Sequence, residues 1–138
     1  MKIAVVSLFL FLAGCASSSN IQQTGSPKGR PDVIVQHADM QSVADECARW
    51  AFQNGFSIDW TNGYSIGGTR LADSTAPFGE LFAEGTHIEI DFGYAPEGDG
   101  VRLWADLHPV RDYYGNVQSR QWMQEELVLI AKAVVQKR

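Results

Sequence analysis

The stretch THIEIDFGYAPEGDGVRLWADLHPV, residues 86–110, decides the fold. Ile88, Ile90, Phe92 and Tyr94 alternate with His87, Glu89, Asp91 and Gly93. In an extended chain that alternation sends the apolar set to one side and the polar set to the other. Val101, Leu103, Ala105 and Leu107 repeat the pattern further on. Between the two runs lies APEGDG, residues 95–100, composed largely of turn-forming residues. The expectation is an antiparallel hairpin pairing residues 86–94 with 101–110, one face apolar. A register centred on the 95–100 turn sets Ile88 against Leu107 and Phe92 against Leu103. On the polar face it sets His87 against His108, Glu89 against Asp106 and Asp91 against Trp104.

In that register two imidazoles and two carboxylates share one patch. His87, Glu89, Asp106 and His108 are therefore weak candidate ligands for a divalent cation such as Zn²⁺ or Mn²⁺. A simpler account is a solvent-facing sheet surface, which produces the same His-x-Glu-x-Asp pattern without a metal.

Upstream, residues 32–36 (DVIVQ) read as a short strand. Met40, Val43, Ala44, Cys47, Ala48 and Ala51 then fall on one helical face, with Asp39 as N-cap and Asn54-Gly55 as the stop. Cys47 lies in the apolar stripe and is read as a small buried hydrophobe. Phe56, Ile58 and Trp60 alternate as a half-buried strand. Asn62-Gly63 follows as a hairpin signal, on the ground that both residues tolerate positive φ. Residues 64–71 return, with Gly67-Gly68 as an expected bulge. Residues 72–85 read as irregular, with a short helical turn near Phe78.

Downstream, a helix is expected over about residues 119–136. Met123, Leu127, Ile130 and Val134 form its stripe, widened by Val128, Ala131 and Val135. Trp50 and Trp122 fall beside the main stripes. The class expected is thus α+β in two layers. It has an antiparallel sheet of about five strands with two helices on one face, in the order β-α-β-β-β-β-α.

The first residues, MKIAVVSLFLFLAGCASSSN, have a different character. Lys2 precedes an apolar run of roughly ten residues, the length of a signal h-region and too short to span a bilayer. The run ends in Leu12-Ala13-Gly14-Cys15, which resembles the lipobox of bacterial lipoproteins. That resemblance implies cleavage before Cys15 and diacylglycerol on its thiol. Two or three acyl chains anchor firmly where one binds marginally. Ala16, rather than Asp, follows the cysteine, which in that class implies the periplasmic face of the outer membrane. The expected organisation is a signal peptide over 1–14, a lipidated cysteine with a flexible tether over 15–31, and one domain over 32–138. The order of elements also resembles the helix-grip arrangement of several envelope lipoproteins. That likeness covers element order alone and carries no site residues.

Composition narrows the function classes. The chain has 11 basic and 16 acidic residues, a net charge of −5. Losing Lys2 with the signal leaves 10 − 16 = −6. An acidic domain disfavours nucleic acid, whose phosphates select a basic face. It equally disfavours a broad grip on anionic lipid. Of the two cysteines, lipidation would occupy Cys15, leaving Cys47 without a partner and no internal disulfide. The sequence holds no G-x-S-x-G, H-E-x-x-H, phosphate-binding glycine loop or C-x-x-C. The favoured expectation is a non-catalytic accessory or assembly subunit of the cell envelope with a protein partner and no cofactor beyond the lipid. Tyr113 and Tyr114, in an expected loop, are weak candidates for the contact. The alternative is a periplasmic module for a small ligand or divalent metal, and the third option is a cell-wall-acting enzyme.

Overall fold

The long alternating hairpin forms and becomes the centre of one sheet. The computed structural model describes residues 20–23, 29–112 and 115–137. Its elements run β1 (Ile21–Gln23), β2 (Asp32–Val35), α1 (Met40–Gln53), β3 (Ser57–Thr61), β4 (Ser65–Leu71), α2 (Phe78–Leu81), β5 (His87–Glu97), β6 (Gly100–Pro109) and α3 (Val117–Gln136). The strands make one open antiparallel sheet in the order β1-β2-β6-β5-β4-β3. The α+β class holds, but with six strands rather than about five and three helices rather than two among the described residues. Cys15, Tyr113 and Tyr114 lie outside the described residues.

Both long helices lie on one face. α1 packs on β3, β4 and β5, and α3 packs on β6, β2 and β1. Their stripes meet the inward side chains of the sheet in one core that includes Val43, Cys47, Ile90, Phe92, Leu103, Met123 and Leu127. Asp39 caps α1, its carboxylate accepting from the Ser42 amide at 2.7 Å. Gly55, at φ +80°, ends the helix after Asn54. α3 begins earlier than residue 119, because Asn116 caps it by accepting from the Ser119 amide at 2.7 Å. Trp50 is buried at the edge of the core. There it stacks on Phe56 at 5.8 Å, meets Phe92 edge-on at 5.4 Å and touches Trp122 at 5.8 Å. Glu46 is also buried, in an ion pair with Lys137 that ties the middle of α1 to the end of α3.

Four local expectations are corrected. First, the tether expected over 15–31 does not leave all of that segment outside the fold. Ile21–Gln23 pairs with β2, and the partly buried Ile21 packs on the core. Composition counts side chains, whereas the open edge of β2 supplies backbone partners to a polar chain.

Second, the Asn62-Gly63 turn closes the β3–β4 hairpin without positive φ at either residue. Instead the Asn62 carboxamide oxygen accepts from the amides of Tyr64 and Ser65, at 3.0 and 2.9 Å.

Third, Gly67 and Gly68 do not bulge. β4 is continuous, and the register shifts on β3, between Ile58 and Trp60. Phe56 precedes that strand and is buried, while Ile58 is exposed.

Fourth, the β5–β6 hairpin closes through Gly98-Asp99 alone, with Gly98 at φ +57°, so Ile90 faces Leu107 and Phe92 faces Ala105. The expected Ile88–Leu107 and Phe92–Leu103 pairs are displaced, although every side chain keeps its face. β5 can run through Pro96 because it has no β4 partner beyond Gly93, so a missing N–H costs no ladder bond there.

Candidate binding face

With both long helices on one side, the polar set of the sheet faces away from them. The corrected register sets its rows. Asp91 lies between Gly67 on β4 and Asp106 on β6. Glu89 lies between Thr69 and His108, and Gly93 between Ser65 and Trp104. Trp60 pairs with Gly67 from the edge strand.

The two glycines explain how the indoles lie. A Cβ on Gly67 would sit 2.0 Å from Trp60 Cζ2, and one on Gly93 would sit 2.3 Å from Trp104 Cε2. Each ring therefore rests flat on backbone where any other residue would hold it off. The Arg30 guanidinium stacks over Trp104, 5.0 Å from the ring centroid, within cation–π range.

The His87–His108 and Glu89–Asp106 pairs expected from the sequence do not form. His108, buried at 7% exposure, has Nε2 3.2 Å from Glu89 Oε2 and Nδ1 2.7 Å from the Pro109 carbonyl. Asp106 opposes Asp91. His87 pairs with Leu71 on β4 and lines a separate open cleft of about 690 Å³ with Thr69, Thr86, Val110 and Arg111. Among the described residues, no three His, Cys, Asp or Glu side chains are grouped to hold a metal. Arg102, on the same face, binds Asp32 at 3.0 Å and approaches Glu97 at 3.7 Å.

Asp91 and Asp106 are thus like charges directly across the strands. Burial raises the affinity of both carboxyls for a proton above the ordinary value of 3.8. For Asp91 the charges of Asp106 and Glu89 push the same way, and His108 and Arg30 offset part of the rise for both. Cys47 is buried under α1, and burial pushes its thiol well up, so it offers no thiolate.

The raised carboxyl has a measurable consequence for stability. A carboxyl with a folded-state pKa above its unfolded one favours folding when protonated. That contribution is present below 3.8 and is lost as pH rises through the folded value. Asp91→Asn is therefore expected to stabilise the protein near pH 7 by a few tenths to about 1 kcal/mol. In acid the gain should vanish. Urea unfolding of both proteins at neutral and acidic pH checks this, and a mutant weaker at neutral pH would contradict it.

The sequence pointed to this face through the alternation of β5 and β6, but missed Trp60, Arg30 and the roles of the glycines. Glycine inside a strand signals close approach of another group, and a tryptophan on the neighbouring strand is what approaches. No protein-family model matches the chain, and no curated protein is similar enough to count as a relative.

Proposed function

We propose that this chain is a lipid-anchored protein of the bacterial cell envelope, a non-catalytic accessory or assembly subunit that holds a protein partner on the uncovered face of its sheet. The anchor reading is supported by the lipobox-like Leu12-Ala13-Gly14-Cys15, and Ala16 favours the outer membrane. The observation that carries the partner reading is the face itself. A sheet surface facing water alone is served by scattered polar side chains. This one lays two indoles flat on glycine and opposes two carboxylates beside them. Large flat aromatics bring contact area at low conformational cost, as partner-binding surfaces do.

Cys15→Ala should abolish labelling with radioactive palmitate and release the protein from the membrane fraction. A mutant that still labels would overturn the anchor. For the partner, a photo-crosslinking residue at Ser65, on the uncovered face, should capture an envelope protein in cells. The same residue at Lys132, on the outside of α3, should not. Equal capture at both positions would remove the argument for this face.

A second reading is favoured by the cleft beside His87. Its mixed lining of Thr69, Thr86, Arg111, Val110 and Pro109 suits a small polar ligand. In that reading the protein is a periplasmic small-ligand module on the same anchor.

A further inference from the structure

We propose that the partner engages this face through a basic side chain, an arginine or lysine whose charged head sits between Asp91 and Asp106 and whose stem lies on Trp60. The proposal rests on the reading of the uncovered sheet face as a partner surface and names the chemistry of what binds there.

Three observations carry it. The first is charge that the chain itself compensates only in part. Asp91 and Asp106 oppose each other across β5 and β6, and among the described residues neither has a cation within ion-pair distance. Of the basic groups nearby, Arg102 pairs with Asp32 and His108 contacts Glu89, while Arg30, stacked on Trp104, offsets only part of the charge of the pair. Opposed like charges weaken a sheet, and an incoming cation removes that cost while gaining two charge-assisted hydrogen bonds.

The second is the platform. Trp60 lies flat on Gly67, the β4 neighbour of Asp91, so the indole borders the carboxylate pair. An indole face attracts ammonium and guanidinium groups and packs against their aliphatic stems.

The third is a precedent within the molecule. In the next row along β5 and β6, Trp104 lies flat on Gly93 and carries the guanidinium of Arg30 at 5.0 Å. Trp60 repeats that geometry and carries no cation among the described residues. One indole–guanidinium stack is filled by the chain itself, and the second indole beside the acidic pair carries no cation among the described residues.

The charge of the domain agrees with the assignment. The full chain, at −5, and the chain without its signal, at −6, both attract a basic partner at long range. Arginine should bind better than lysine, because a planar guanidinium can bridge two carboxylates and stack on an indole at once.

The test uses the full chain in detergent micelles with its tryptophans ¹⁵N-labelled, and follows indole N–H signals by NMR. The probes are acetyl-Gly-Arg-Gly-amide, the lysine and glutamate versions of it, and Mg²⁺ or Zn²⁺ alone. The arginine peptide should shift the signals of Trp60 and Trp104 saturably, with a dissociation constant on the order of 1 mM, and the glutamate peptide should not. Asp91→Asn and Asp106→Asn should each weaken binding at least about tenfold, whereas Glu80→Gln, an exposed acid on α2, should leave it unchanged.

No indole shift with either basic peptide, or equal binding by Asp91→Asn, overturns the proposal. So does saturation of the same signals by Mg²⁺ or Zn²⁺ while the peptides fail, which would make the pair a cation site. Crosslinking from Ser65 separates this from the broader reading. Capture of a protein that Asp91→Asn does not reduce sinks the basic-side-chain proposal and spares the partner face. Peptide binding without any capture sinks the partner face and leaves the cation preference standing.

Discussion

Phe92→Ala is expected to cost about 3–5 kcal/mol, the largest loss of any single truncation in this protein. Phe92 is fully buried at the middle of β5, between Ile66 on β4 and Ala105 on β6. Its ring meets Trp50 of α1 edge-on at 5.4 Å and 86°. The residue opposite on β6 is only an alanine and cannot fill the space, so the cavity would open where helix meets sheet. Domains of this size are stable by about 5–15 kcal/mol in all, so the mutant would sit near its unfolding threshold. Urea titration of the two proteins measures the difference. Phe52→Ala is the contrast. That ring is 80% exposed, and its loss should stay within about 0.5 kcal/mol. Comparable losses for the two would mean that Phe92 is not the keystone described.

Gly68→Ala is expected to have the second largest effect, through the backbone of the edge strand. A Cβ there would sit 2.0 Å from the Ser57 carbonyl oxygen and 2.8 Å from its carbon. Those are main-chain atoms of β3, so no rotamer change relieves the clash and the strand itself must move. Overpacking of this kind costs about 1–3 kcal/mol. Displacing β3 also lifts Trp60 from Gly67, so the mutant should lose affinity for the arginine peptide although Asp91 and Asp106 are untouched. Hydrogen exchange of the β3 amides should speed up well before that of β5 and β6. Gly63→Ala, with nothing within 4 Å of its Cβ and no positive φ, should be near neutral. Protected β3 amides in Gly68→Ala would show that the strand tolerates the methyl group.

The legibility of this fold in its sequence divides along a physical line. Strictly periodic elements could be read. The α1 stripe, the α3 stripe and the two central strands lie where the 3.6 and 2 periods put them. Where the deciding interaction joined residues far apart in sequence, reading failed. Nothing local to Glu46 announces that Lys137, just past the end of the last helix, will meet it. The register of β5 and β6 depended on whether β5 could continue through Pro96, and that turned on where β4 stopped. Because the error preserved the faces, the candidate surface survived while its partners changed. Glu89 and His108 are brought into contact, Asp106 is set against Asp91 instead, and His87 is left at the rim.

The register break between Ile58 and Trp60 has a consequence beyond the molecule's own packing. β3 is the outer strand on its side of the sheet, and an unbroken outer strand is a template on which neighbouring copies can add themselves end over end. Asp59, at the break, turns its carboxylate to Thr69 at 2.9 Å, so the rim is both irregular and charged. Such a rim resists polymerisation. On the lipid anchor proposed above, copies would be crowded into two dimensions, where encounters are frequent. There, an edge that refuses its own kind would keep the sheet's broad surface free for the proposed partner.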